Sequence, residues 1–164
     1  MSTSDFDPLN PAPVGQPAGY PPSTSGQPGT LGVRFLARVI DGILVGIVAF
    51  VLALLFGAQS NILVTGLFSG LLLFIYFVAL EVSSGASLGK KLLGLSVHGP
   101  GGAARPDVKQ SAIRNSFTLL AIIPYVGGLL AFIAYIVIAV TINSSPTKQG
   151  KHDELAGGTQ VVKG

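Results

Sequence analysis

The sequence predicts an all-α membrane protein, a small bundle of four membrane segments with a disordered N-terminal tail and short strand-like cytoplasmic segments. Three observations lead there. No charge lies between Asp41 and Glu81, and none between Arg114 and Lys148. Each gap exceeds the roughly 20 apolar residues that cross a hydrocarbon core. Of the 164 residues 49% are hydrophobic and 10% charged, where a soluble domain carries about a quarter charged; mean hydropathy is +0.64. Finally, the Lys and Arg residues avoid the turns at 57–61 and 124–128 and flank the opposite ends of the apolar runs.

Residues 1–30 form the tail. Seven of the eleven prolines lie here among Gly, Ser, Thr and Gln. Such a segment holds too few apolar groups to offset the entropy of ordering. It has no Lys or Arg and no apolar run, so the first span is expected to direct insertion. Pro8-Leu9-Asn10-Pro11 fits P-x-x-P, which suits a partner-docking segment as well as a solvated spacer.

Residues 31–164 form the membrane domain. The first span, about 33–56, opens with Arg34, Arg38 and Asp41. At about 100° per residue these fall within roughly 60° of one another, as one charged stripe. An acid carried into the membrane must be satisfied inside the protein, and the arginines Arg34, Arg38 and Arg114 are the expected partners of Asp41. Gly42 and Gly46 offer a G-x-x-x-G face to another helix. A short uncharged turn leads into the second span, about 62–82, which ends at Glu81. Glu81 has no arginine on its own helix face, which makes it the group expected to titrate; capping Lys90 or Lys91 is the alternative.

The stretch Ser87 to His98 reads as an interfacial segment or short strand. Gly99-Pro100-Gly101-Gly102 is a turn, and Arg105-Pro106-Asp107 starts a helix. A continuous helix from 115 to 147 would be about 50 Å long, well beyond a core of about 30 Å. Pro124, Gly127 and Gly128 break it. The last two segments therefore form a Pro/Gly-broken hairpin, with both termini cytoplasmic by the positive-inside rule. The third segment is short, because Arg114 stands nine residues before Ile123. Residues 159–162 have strand character.

Three blocks together resemble the RDD family of small bacterial integral membrane proteins. The first is Arg34 with Asp41 seven residues on. The second is Ser87-Leu88-Gly89-Lys90-Lys91-Leu92-Leu93-Gly94-Leu95-Ser96-Val97, similar to the family's T-L-G-K-R-L-L-G-L-x-V. The third is His152-Asp153-Glu154-Leu155-Ala156-Gly157 with Thr159 and two valines, similar to H-D-x-x-A-G-T-x-V-V. Arg114 also matches an arginine usual at the start of the third segment. Ser87 replaces the more usual Thr, and Gly158 stands as an extra residue that leaves the register of the final strand open. The resemblance implies a multi-pass protein of the bacterial plasma membrane, with Arg34, Asp41 and Asp153 as the arginine and two aspartates of the family name. It also implies an unassigned molecular function, for which transport or cation/proton coupling is suggested.

The candidate site is thus an intramembrane charge cluster of Arg34, Arg38, Asp41, Glu81, Arg114 and Asp153, with Gly89, Lys90, Gly94 and His152 as motif residues. Its structural reading is a set of ion pairs that fixes the bundle; its functional reading is a protonatable pathway. The alternative function is a non-transporting scaffold whose Pro-rich tail recruits partners. Asp153 and His152 do not make a metal ligand set. Ser87 to Lys91 lacks phosphate-loop spacing, and no nucleophile, base and acid stand at catalytic spacing, so no enzyme, catalytic residue, cofactor or metal is expected. With no cysteine, thiolate chemistry is excluded. The net charge of +3 is explained by topology and anionic lipid rather than nucleic acid. The expected partners are the lipid bilayer and a second copy or other membrane proteins, with the transported ligand unknown.

Overall fold

The computed structural model describes residues 26–57 and 60–164. The tail expected to be disordered therefore lies, from 1 to 25, outside the described residues. Its last residues are ordered: Gln27–Pro28 form strand β1. Gly29 donates its N–H to the Val161 carbonyl at 2.9 Å, and Thr30 caps the first helix by accepting from the Val33 N–H.

Helix α1 (Leu31–Leu55) buries Ala37, Asp41, Val45, Ala49 and Ala53, a four-residue repeat that keeps one narrow face inward. Most of these side chains are small, so the next helix can come close. The opposite face exposes Phe35, Ile43, Ile47, Phe50 and Leu54. Helix α2 (Ile62–Ser84) starts at Asn61, whose side chain accepts from Leu63 and Val64 N–H groups. It ends at Gly85, which takes the left-handed conformation at φ 72° that glycine adopts without a Cβ penalty. Helix α3 (Leu88–Leu92) and strand β2 (Leu95–His98) follow.

Helix α4 (Val108–Asn115) opens on a capping box, with Asp107 accepting from Gln110 N–H at 2.7 Å and Gln110 returning the bond at 2.9 Å. It runs into a 3-10 stretch, Ser116–Ile122. The third segment, expected to be short, is thus an α-helix continued by a 3-10 stretch. Lys109, Gln110, Ser111, Arg114 and Asn115 make α4 too polar for lipid, and only the 3-10 stretch is apolar. At about 2.0 Å per residue that form covers more distance than an α-helix of equal length. The stretch descends along α2 from the level of Glu81, where Asn115 bonds it at 2.9 Å, to Gly70 and Gly66, which its Thr118, Ala121 and Ile122 approach. Residues 123–126 turn the chain into α5 (Gly127–Ser144). Helix α6 (Lys151–Leu155) and strand β3 (Gln160–Lys163) complete it.

Three helices, α1, α2 and α5, are long and apolar enough to cross a membrane. The expected four spans thus become three such helices and one shorter, broken segment. The sheet joins what the helices leave at one end. Its order is β1-β3-β2, antiparallel, pairing Gln27 with Lys163 and Val97 with Val161. The start of α1, the end of α2 and the end of α5 are therefore gathered together. Gly157 and Gly158 (φ 88° and 92°) take up the extra residue in a turn before β3. Beneath the sheet, Leu95, Val97 and Val161 pack on Ala37.

Gly70 should be a more sensitive position than Gly42. A Cβ there would stand 2.8 Å from Ile122 Cγ1 and 3.2 Å from the Thr118 carbonyl, whereas Gly42 has nothing within 4 Å. Gly70→Leu is expected to cost about 1–3 kcal/mol by overpacking, read as a lower melting temperature in detergent. Gly42→Leu should leave it unchanged.

Candidate functional site

The charged stripe at the start of α1 divides its side chains among three destinations. Asp41 is completely buried, and its partners are not the arginines expected from the sequence. Its Oδ1 accepts from the Tyr76 hydroxyl at 2.6 Å and from the Gly89 N–H at 2.7 Å; its Oδ2 accepts from the Ser87 hydroxyl at 2.6 Å. The Gly89 N–H is one of the free donors of the first turn of α3. The arginines fail to reach because each is taken elsewhere. Gly89 is required here by space: a Cβ would overlap the Ala37 carbonyl oxygen and sit 3.0 Å from the Asp41 carboxyl carbon. Gly94, with φ 66°, then turns the chain from α3 into β2.

Arg34 points to the sheet. Its Nε donates to the Gly29 carbonyl at 2.9 Å, its Nη2 to the Val161 carbonyl at 3.0 Å, and its Nη1 meets Asp153 Oδ2 at 3.4 Å. Arg38 lies across the Phe77 ring, 3.9 Å from its centroid, and donates through Nη2 to Asn115 Oδ1 at 2.8 Å. A guanidinium so placed gains from the ring quadrupole in a desolvated site.

Glu81, also fully buried, is the hub. Its Oε1 pairs with the Lys90 ammonium. Its Oε2 accepts from Ser111 Oγ at 3.0 Å and Asn115 Nδ2 at 2.9 Å, with Arg114 Nε 3.8 Å away. No arginine shares its helix face; Arg114 reaches it from α4, and the Lys90 pair is the alternative the sequence offered. Breaking such a buried pair leaves an uncompensated charge.

Arg114 bridges onward, its Nη1 3.1 Å from Asp153 Oδ1. Asp153 also accepts from the Gly150 N–H at 3.1 Å, which closes the start of α6, and from Thr159 Oγ1 at 3.1 Å. Burial alone would raise the Asp153 carboxyl, but the charges of Arg114 and Arg34 hold it below the usual carboxylate range. Burial pushes the neighbouring His152 imidazole down to about 3, against the pull of Asp153. His152 packs edge-on to Phe117, with its Nε2 3.6 Å from Asp153. Burial likewise lowers the Lys90 ammonium, opposed by Glu81.

Arg34, Glu81, Lys90, Arg114 and Asp153 thus form one connected network, joined to Arg38 through Asn115. Asp41 sits beside it with its own set of neutral donors. Sequence reasoning missed Tyr76, Ser87, Ser111, Asn115 and Thr159 as partners. Ser87 and Thr159 lay within the conspicuous blocks; Tyr76 could have been found by matching its depth in α2 to that of Asp41 in α1.

Between α1 and α5 lies a cleft of about 370 Å³. Its polar lining comes mainly from Arg34, Arg38, Lys90, Arg114 and His152, and no carboxylate contributes. Arg38 Nη1 and Arg114 Nε are buried without a hydrogen-bond partner.

The RDD family model matches residues 28–157. No curated protein and no solved structure gives a match.

Two outcomes follow from the site. Ser87→Ala takes one donor from a buried carboxylate and is expected to cost about 1.5–3 kcal/mol, while Ser87→Thr, which keeps the hydroxyl, should melt like the parent protein. Acid should destabilise the fold. In the unfolded chain His152 takes up a proton near its ordinary value of about 6.5, but in the folded chain only near 3. Between those values the unfolded state binds more protons, so stability falls as pH falls, by about 2 kcal/mol at pH 5 from this group. Protonation of Asp153 adds to the loss at lower pH. Melting temperatures in detergent from pH 7.5 to 4.5 should show the decline, and His152→Gln should flatten its upper part.

Proposed function

Because the chain belongs to the RDD family, we propose that it is a four-segment protein of a bacterial plasma membrane that binds and transports an anionic ligand. Three helices long and apolar enough to cross a bilayer support the membrane setting. The fourth crossing is supported by parity. The start of α1 and the ends of α2 and α5 meet at the sheet, so the chain must return to the far end between α2 and α5, and after α3 and β2 it is α4 with the 3-10 stretch that leads into α5. The basic residues Lys91, Arg105, Lys109, Lys148 and Lys163 flank that sheet end, and the turn at 123–126 carries no charge. That distribution supports, by the positive-inside rule, a cytoplasmic sheet end.

One observation favours an anion: basic side chains and no acid line the cleft, and the buried Arg38 Nη1 there has no hydrogen-bond partner. A cation- or proton-coupled carrier is the competing reading. It needs an intramembrane acid to change protonation state. Asp41 holds three hydrogen bonds and Glu81 four hydrogen bonds or ion pairs from donors fixed by packing, so both acids are engaged within the protein and neither lines the cleft. The scaffold reading rests on residues 1–25, outside the described residues.

The test is flux in vesicles containing the purified full chain. Anion flux that falls about ten-fold in Arg38→Gln is the expected result. Cation or proton flux abolished by Asp41→Asn would overturn the proposal in favour of the coupled carrier, and no flux of any kind would remove transport.

A further inference from the structure

The α1/α5 cleft has the shape and chemistry of an amphiphile site. Its walls are Phe35 and Val39 of α1 with Phe132 and Ile136 of α5, all of them also exposed on the outer apolar surface. The opening is therefore lateral, through the face that the bilayer covers. A hydrophilic anion would have to cross hydrocarbon to enter this way, at heavy desolvation cost. A molecule with an acyl chain enters by sliding sideways, its chain against the apolar walls.

The other end of the cleft is basic. Arg34, Arg38, Lys90 and Arg114 line it without a carboxylate among them. Glu81 and Asp153 pair with Arg34, Lys90 and Arg114, Arg38 enters none of these pairs, and Asp41 turns away to Tyr76, Ser87 and Gly89. Arg38 Nη1 remains as a buried donor without a hydrogen-bond partner, and buried donors are ordinarily paired. Depth agrees with a headgroup. Arg38 stands seven residues into α1, about 10 Å along the helix axis, near the boundary where lipid phosphates lie.

From this we propose that the cleft between α1 and α5 holds an anionic phospholipid of the cytoplasmic leaflet, its phosphate on Arg38 and Arg114 and an acyl chain along Phe35, Phe132 and Ile136. The proposal rests on the reading that the basic cluster serves an anion, and it names that anion. Arginine is the suited residue, because its planar fork matches phosphate oxygens in pairs.

The experiment uses the full chain purified in neutral detergent. Native mass spectrometry should find phosphatidylglycerol retained, and the delipidated protein should gain thermal stability from added phosphatidylglycerol but not from phosphatidylcholine or inorganic phosphate. Arg38→Gln should weaken phosphatidylglycerol binding about ten-fold. Ala139→Phe, which fills the cleft wall and keeps every charge, should block binding while the lipid-free protein melts as before. Equal effects of phosphatidylglycerol and phosphatidylcholine would mean an unspecific lipid shell and overturn the inference. Stabilisation by inorganic phosphate alone would overturn it too, yet leave the anion reading standing. No response to any anion would remove both. Delipidated protein that dimerises, with association lost in Ala139→Phe, would assign the cleft to a second copy instead.

Discussion

Two acids carried by apolar helices must find donors inside the protein, and most of this structure follows from how they do so. Asp41 on α1 and Glu81 on α2 are both fully buried, and one short segment serves both. Ser87 and Gly89 close on Asp41, and the next residue, Lys90, pairs with Glu81. Helix α3 therefore has to press its backbone against α1, which explains why Gly89 has no room for a side chain. The same need draws α4 inward, since Ser111, Arg114 and Asn115 complete the shell around Glu81. Without these donors each carboxylate would carry a desolvation penalty of several kcal/mol.

The consequence is a molecule polar within and apolar without. Large side chains such as Phe35, Phe50, Phe132 and Ile136 are exposed, while Arg34, Glu81, Lys90, Arg114 and Asp153 are buried. In lipid the outer face has no reason to collapse inward, and association rests on close packing and internal hydrogen bonds. Gly66 and Gly70 supply the first by admitting the 3-10 stretch. The charge network supplies the second, and the sheet above it holds the helix ends together.

The sequence made the family, the membrane-crossing character and the identities of the charged residues legible, because charge in an apolar chain stands out. It paired them poorly. Proximity along α1 suggested arginines for Asp41, whereas the partners are a tyrosine hydroxyl, a serine and a backbone N–H, groups with no sequence signature of their own. Glu81 has no arginine on its own helix face, and Arg114 arrives from a distant segment. The 3-10 stretch was illegible because its apolar residues suit any helical form; the choice is made by the glycines of α2 that it packs on. Strand β1 was hidden in a Pro-rich tail, since Gln27 and Pro28 acquire strand geometry only by pairing with Val162 and Lys163.

The place of β3 in the sheet bears on the order in which the protein can be completed. β3 is the central strand, between β1 and β2, and it is the last of the described elements to leave the ribosome. Until it arrives the two outer strands have nothing to pair with. Asp153, the shared counter-charge of Arg34 and Arg114, comes from the same late segment. The helices must therefore enter the bilayer with two guanidinium groups lacking their final acid, and those groups wait at the interface, where water and lipid phosphate can attend them. Residues 151–163 can therefore close on the bundle only after the helices that precede them have been made.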